Sequence, residues 1–177
     1  YELSACLVGS EMCIRDSQIS VFQPIFAWLQ QYKREIKDVY LAVNHLDFHS
    51  ENVLLRNATT PVVIDWGNLT IGDLRLDLAW TCLLEVGWRE QILSEYQRLA
   101  GRQIEQFEFF EVIAWLKGLI TVFFSTSLQV TDLGLRSSVE LFLQHQGAQI
   151  QQIYTLLKSR TGIALPEIEQ IIERFYE

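Results

Sequence analysis

Residues 42–80 read AVNHLDFHSENVLLRNATTPVVIDWGNLTIGDLRLDLAW, and this stretch decides the predicted fold. Its first part concentrates polar side chains at His45, Asp47, His49 and Asn52. A second group follows farther along the stretch, where Asp65 precedes Trp-Gly. Closely spaced acidic, amide and imidazole groups are what a catalytic or metal site requires, so we place the candidate site here.

Three short apolar runs surround these polar groups, at residues 40–44, 53–55 and 62–64. The second and third runs are rich in β-branched residues, and residues 56–61 between them have turn chemistry, which predicts a small hairpin. The loop between the first and second strands then carries Asp47 and Asn52, and the third strand ends at Asp65. Adjacent strands would therefore bring two carboxylates and an amide to one point.

Convergent carboxylate and amide oxygens suit Mg²⁺, which keeps several waters and bridges substrate phosphates. The spacing from Asp47 to Asn52 equals that of the kinase catalytic loop, in which the Asp accepts the substrate hydroxyl proton and the Asn holds the metal. A kinase also carries a metal-binding Asp after a nearby strand, in the motif Asp-Phe-Gly. Asp65 occupies that place here, with Trp66 where the Phe would be.

The stretch resembles the catalytic core of the aminoglycoside phosphotransferase and choline kinase family, the small-molecule relatives of protein kinases. The family pattern H-x-D-x-H-x-x-N-V-L is met by His45, Asp47, His49, Asn52, Val53 and Leu54. The metal-binding Asp followed by Trp is met by Asp65 and Trp66, and the trailing pattern G-D-x-x-x-D-L-A by Gly72, Asp73, Asp77, Leu78 and Ala79.

The resemblance implies a role for each matching residue. Asp47 would be the catalytic base, and Asn52 and Asp65 the Mg²⁺ ligands. Three residues would support the catalytic loop: His45, His49 and Asp77, the last as a buried carboxylate. The implied reaction transfers a phosphoryl group from ATP or GTP, with Mg²⁺, to a hydroxyl of a small molecule, and the acidic charge of the chain favours a cationic acceptor.

Helical periodicity covers most of the remaining sequence, at residues 18–38, 90–99, 106–124, 137–158 and 166–176, with a further helix through Cys82 that Asp77 would cap. The predicted fold is mainly α with a small β element (α+β), the large C-terminal lobe of a protein-kinase-like fold over residues 18–177. Only 27 residues, 18–44, precede the catalytic loop in that lobe, whereas a nucleotide-clamping small lobe needs on the order of 55. We therefore expect the N-terminal lobe to be missing, which would expose apolar surface at residues 18–38 and 40–44.

Residues 6–17, CLVGSEMCIRDS, resemble the translation of a sequencing-library adapter. We therefore interpret residues 1–17 as a non-native tail that packs against nothing. This segment holds the only Met of the chain, Met12, so we expect the natural gene to begin upstream. A signal peptide is the alternative, although the segment has no basic start and only a short apolar run.

Composition excludes several classes of protein. The 22 acidic and 14 basic residues give a formal charge of −8, the wrong sign for a nucleic-acid partner. Three Cys are too few for a disulfide framework, which favours a reducing, cytoplasmic location. The most apolar stretch, residues 112–124, is interrupted by Lys117 and is shorter than the ~20 residues of a membrane span, so it predicts a buried helix and no membrane partner.

The same residues are open to other interpretations. His45 and His49 are four residues apart and would bind Zn²⁺ if they lay on one helix. Residues 62–65 are also compatible with the nucleophile strand of a haloacid-dehalogenase-like phosphatase, although Gly67 stands where a second Asp is expected. The functional alternative is a catalytically silent kinase-like binding module.

Overall fold

The computed structural model describes residues 20–85, 87–127 and 136–173, with the backbone alone described for 124–127 and 136–146. The contacts of the described residues form two compact units: residues 32–114, and residues 20–31 together with those from 115 onward. The predicted non-native tail, residues 1–17, lies outside the described part of the chain.

Helices dominate the described residues, and the strands are short, which agrees with the predicted mainly α fold with a small β element. The strands are β1 (Leu41–Asn44), β2 (Val53–Arg56), β3 (Thr60–Val63) and β4 (Thr70–Asp73). The α-helices are α1 (Gln23–Tyr32), α2 (Leu74–Leu84), α3 (Arg89–Ala100), α4 (Phe107–Ser127), α5 (Arg136–Thr161) and α6 (Pro166–Glu173). Single 3₁₀ turns occur at Ser20–Phe22, Lys33–Glu35, Ser50–Asn52 and Trp66–Asn68.

Two antiparallel two-stranded sheets hold the candidate site in the unit of residues 32–114. The predicted hairpin is confirmed: β2 pairs with β3, with Val53 opposite Val63. The second sheet joins β1 to β4, with Asn44 opposite Thr70, and was not predicted. Strand β4 is short and contains Gly72, so nothing local indicates a strand, and its partner lies some 30 residues away.

The predicted helix over residues 18–38 is too long. The α-helix ends at Tyr32, a 3₁₀ turn follows, and Ile36 is already extended. Tertiary contacts hold the next residues away from helical geometry, because the Asp38 carbonyl accepts a hydrogen bond from Arg75 and the Tyr40 N–H donates to Asp73. The helix also buries Ile25 and Leu29, so the expected apolar exposure is wrong for α1, whereas Leu41 and Val43 of β1 are exposed.

The helix through Cys82 begins earlier than predicted and has a different cap. Asp73, at the end of β4, is the residue whose carboxylate accepts the Arg75 N–H at 3.0 Å. Asp77 lies in the first turn of the helix. Its carboxylate faces the loop after β1 and does not cap the helix. Asp73 is the cap because α2 follows β4 directly, which places Asp73 immediately before the first helical residue.

The apolar stretch at residues 112–124 lies in α4, and its apolar side chains are buried through Phe123, with Val122 half-buried, as predicted for a core helix. Phe123 packs edge-on against Phe22, with ring centroids 5.5 Å apart. Within the described ranges, no helix has the length and apolarity needed to cross a membrane.

Candidate catalytic site

The loop after β1 is anchored by Asp77. Its two carboxylate oxygens accept the N–H groups of His45 at 2.8 Å and Leu46 at 2.7 Å. Leu46 has φ +57°, a conformation that L-residues rarely adopt unless neighbouring contacts hold it. Asp77 is half-buried, not fully buried as the resemblance implied. The carboxylate thus holds the strained backbone just before Asp47.

The His45 ring connects the catalytic loop to the strand that leads to Asp65. Its Nε2 lies 2.8 Å from the Ile64 carbonyl, which can only accept, so Nε2 carries the hydrogen. The ring is buried, with its centroid 4.6 Å from that of Trp66. His45 therefore packs the loop, and its ring is not available to bind Zn²⁺ through Nε2.

Asn52 joins the two ends of the catalytic loop. Its Nδ2 donates to the Asp47 carbonyl at 2.8 Å and lies 3.4 Å from the Asp47 carboxylate oxygen Oδ2. Because the amide nitrogen is turned to Asp47, the amide oxygen is the atom left for a cation. Asn52 is nearly buried in the turn Ser50–Asn52, so its orientation is well defined.

Asp65 directly follows Ile64, whose backbone pairs with that of Asn52. The Ile64 N–H donates to the Asn52 carbonyl at 3.0 Å, which extends the β2–β3 ladder by one step. Asp65 then adopts φ +57° and ψ +59°, and its carboxylate is exposed and makes no hydrogen bond or ion pair with the described residues. A Cβ on Gly67 would lie 3.4 Å from Asp65 Oδ1, so the glycine leaves space beside this oxygen.

These residues fit a Mg²⁺ ion bound mainly by substrate and water. The protein would provide the free Asp65 carboxylate and the Asn52 amide oxygen, which are hard oxygen donors. No group of three or more His, Cys, Asp and Glu that could hold a metal ion occurs among the described residues. A site with two protein ligands suits Mg²⁺ bound together with phosphates better than a Zn²⁺ site.

His49 lies beside the Asp47 carboxylate without forming a hydrogen bond to it. Its Nε2 is 3.9 Å from Asp47 Oδ1, and both side chains are partly exposed. The resemblance placed His49 in support of the loop, and the structure puts it next to Asp47.

Sequence reasoning missed Arg75, which is fully buried in the first turn of α2. Its guanidinium forms a two-pronged ion pair with Asp73, at 2.9 and 2.7 Å, and donates to the carbonyls of Asp38 and Glu105. It also lies 4.2 Å from the centroid of the Phe110 ring. Arg75 thereby ties the junction of β4 and α2, from which Asp77 projects, to the segments before β1 and before α4. The available sequence signal for this ion pair was an Arg two residues after an Asp at the start of a helix.

Glu85 was also missed, although it contacts the catalytic loop. The residue follows α2, and its carboxylate accepts the Ser50 N–H at 2.5 Å. The pKa of Glu85 is lowered, first by this backbone hydrogen bond, then by the Ser50 hydroxyl, and last by the charge of His49. No motif marks Glu85, because only the fold brings it to Ser50.

Comparisons with known proteins identify the family of the chain. A model of the phosphotransferase enzyme family (APH) matches residues 12–112, more than half of the chain. That match runs through Asp65 and favours the phosphotransferase interpretation over the phosphatase one. No curated protein matches the sequence significantly.

A solved structure has the same fold: a choline/ethanolamine kinase family protein from Mesorhizobium loti, with a TM-score of 0.57 and 14% sequence identity. The alignment covers 96% of the present chain and 58% of the other, so the chain spans less than two thirds of that relative. The expected resemblance to the aminoglycoside phosphotransferase and choline kinase group is confirmed, and the chain belongs to the phosphotransferase enzyme family.

Proposed function

We propose that this protein transfers the γ-phosphoryl group of ATP or GTP to a hydroxyl group of a small molecule. The observation that carries the proposal is a continuous set of hydrogen bonds from Asp77 through His45, Ile64 and Asn52 to Asp47. These bonds hold the proposed base and the two proposed metal ligands around one loop. Phosphoryl transfer depends mainly on such positioning and on charge stabilisation.

In the proposed mechanism, the Asp47 carboxylate accepts the proton of the acceptor hydroxyl as that oxygen attacks the γ-phosphorus. The bond between the γ-phosphorus and the bridging oxygen breaks, and the nucleoside diphosphate leaves. Asn52 donates to Asp47 and holds the carboxylate in the loop. Asp65 and the Asn52 amide oxygen would hold Mg²⁺, which supplies charge neutralisation for the phosphate oxygens. His45, His49 and Asp77 keep the loop in its working conformation.

The acceptor that we propose is a small hydroxyl compound carrying a positive charge, since the chain has a formal charge of −8. The same charge argues against a nucleic-acid partner. The low cysteine content supports a reducing, cytoplasmic location. We also propose that residues 18–177 form the large lobe and that a small N-terminal lobe clamps the nucleotide, so the 177-residue chain alone should transfer phosphate poorly.

The test compares the 177-residue chain with the proposed longer protein, which adds a small N-terminal lobe, each assayed with Mg²⁺, ATP or GTP, and a panel of aminoglycoside, choline-like and neutral hydroxyl acceptors. We expect transfer by the longer protein and little by the chain alone. Robust transfer by the chain alone would overturn the proposed need for a small lobe. Nucleotide binding without transfer to any acceptor would instead favour the silent binding module.

A further inference from the structure

Helix α2 contacts the catalytic loop at two points, one on each side of Asp47. Asp77, in the first turn, accepts the N–H groups of His45 and Leu46. Glu85, just after the last turn, accepts the N–H of Ser50. The two carboxylates are eight residues apart, which corresponds to about 12 Å along a helix. One rigid element thus holds both ends of the segment that contains Asp47.

The backbone of Glu85 is itself held in place. Its N–H donates to the Thr81 carbonyl at 2.9 Å, and its carbonyl accepts the Trp88 N–H at 3.1 Å. The carboxylate therefore projects from a fixed point, and it meets Ser50 where the 3₁₀ turn Ser50–Asn52 begins. N–H groups at the start of such a turn have no partner within the turn. No side chain caps the turn from the preceding residue, His49, so Glu85 provides the acceptor from outside.

We propose that Glu85 is a positioning residue for phosphoryl transfer, acting through Ser50 on the turn that carries Asn52. The inference rests on the proposed function, because it assigns Glu85 to the loop of the proposed base and metal ligand. Loss of the carboxylate frees the start of the turn, and Asn52 then no longer holds its amide group against Asp47 in one orientation. Asp77 cannot compensate, because its two oxygens already accept two N–H groups before Asp47.

The direct test is amide hydrogen exchange of the 177-residue chain, measured for Glu85→Ala, Glu85→Gln and the control Glu95→Ala. Glu95 is an exposed carboxylate on α3, where it pairs with Arg98. We expect Glu85→Ala to speed exchange of the Ser50 amide about tenfold, as expected for loss of a charge-assisted hydrogen bond. Glu85→Gln keeps an acceptor oxygen and should restore part of the protection, and Glu95→Ala should change nothing in the loop.

Amides in α4 serve as the internal reference, because global destabilisation would speed their exchange as well. Unchanged protection of Ser50 in Glu85→Ala would overturn the proposal, and so would an equal change in α4. This outcome is independent of catalysis. It is therefore distinguishable from a failure of the proposed function, which would appear as no phosphoryl transfer by the parent protein.

The second readout is catalytic and uses the proposed longer protein, in which a small lobe precedes this chain. We expect Glu85→Ala to lower kcat about tenfold while the KM for the nucleotide stays within twofold, because the loop is loosened and Asp65 still binds the metal. Glu85→Gln should recover part of kcat. A rise in KM with unchanged kcat would overturn the positioning role, because it would place Glu85 in nucleotide binding.

Discussion

At the residue scale, Asp47 and Asp65 are two carboxylates of one candidate site with different surroundings, and these surroundings suit different proposed roles. Asp47 receives the Asn52 amide and has His49 nearby, whereas Asp65 is exposed at the end of β3 with no partner among the described side chains. A carboxylate held against an amide is suited to accept a proton in a defined direction. A carboxylate with free oxygens is suited to bind a cation.

Changing Asp47 to Asn should lower phosphoryl transfer roughly 10²–10⁴-fold, because the proton acceptor is lost. Nucleotide affinity should change little, since the proposed metal ligands Asn52 and Asp65 remain. The measurement is kcat together with equilibrium binding of Mg²⁺-nucleotide, on the longer protein. Glu51→Gln, an exposed acidic residue of the same loop, is the matched control and should keep parental activity. An Asp47→Asn variant as active as its parent would refute the assignment of the base.

Changing Asp65 to Ala should weaken Mg²⁺-nucleotide binding as well as transfer, because it removes a proposed metal ligand. Titration of the nucleotide at several Mg²⁺ concentrations measures the effect. The apparent Mg²⁺ requirement should rise for Asp65→Ala and not for Asp47→Asn. If the two variants have the same Mg²⁺ dependence, the division of roles between them is wrong.

At the element scale, the junction of β4 and α2 depends on the buried pair Asp73 and Arg75. Changing Arg75 to Met should cost about 3 kcal/mol of unfolding free energy, because it leaves the Asp73 carboxylate buried without its cation. Chemical denaturation followed by far-UV circular dichroism provides the measurement. Arg98→Met, which breaks an exposed ion pair within α3, should lower the unfolding free energy much less than Arg75→Met does, because solvent screens this pair. Equal losses for the two variants would show that Arg75 does not hold this junction.

Helices α5 and α6 are joined by Tyr154, whose buried hydroxyl donates to Glu169 at 2.7 Å and accepts the Leu165 N–H at 2.9 Å. Burial raises the pKa of Tyr154 to about 12 from an ordinary value of 10. The folded state therefore holds this proton more tightly than the unfolded state. The resulting stability is fully present below pH 10 and is lost as the pH rises through 12.

Changing Tyr154 to Phe should cost about 1–2 kcal/mol near neutral pH, because the Leu165 N–H loses its acceptor in a buried site. The variant should also lose the part of the alkaline destabilisation that belongs to Tyr154. Denaturation curves of parent and variant at pH 8 and pH 11 test both points. If the difference in stability between the two proteins is the same at both pH values, Tyr154 does not titrate as described.

At the scale of the whole molecule, one sheet face exposes apolar side chains next to the candidate site. Leu41 and Val43 of β1 and Ile71 of β4 are each about 60% exposed, and Val43 and Ile71 are opposite each other. Clustered exposed apolar residues promote association. We expect the 177-residue chain to self-associate, as measured by sedimentation equilibrium over a range of concentrations.

The double change Val43→Lys and Ile71→Lys should shift this equilibrium towards monomer. Leu99→Lys is the control, because Leu99 is as exposed as these residues but lies on α3. Its association should match that of the parent. Association that responds equally to both changes, or to neither, would place the interface elsewhere.

Local sequence determined the candidate site residues and most of the elements. Two β-branched runs with turn residues between them predicted the hairpin of β2 and β3, which was confirmed. The same pattern predicted Asp47 and Asn52 in the loop before the hairpin and Asp65 at its end. Periodicity predicted α3, which ends at Gly101 with φ +64°, as well as most of α4, α5 and α6. These features rest on contacts within about four residues along a helix or across one tight turn, which a single sequence records directly.

The tertiary structure alone decided how the site is held. Three features join residues that are distant in sequence: the pairing of β1 with β4, the contacts of Arg75 and the contact of Glu85. A fourth feature is a competition, because Asp73 and not Asp77 takes the cap position of α2. Arg75 bonds to the Asp38 carbonyl, and Glu85 reaches Ser50 across 35 positions. Such partners are selected by the packing of whole elements. The local sequence around a carboxylate at the end of a helix does not show whether that carboxylate faces water or a loop of the candidate site.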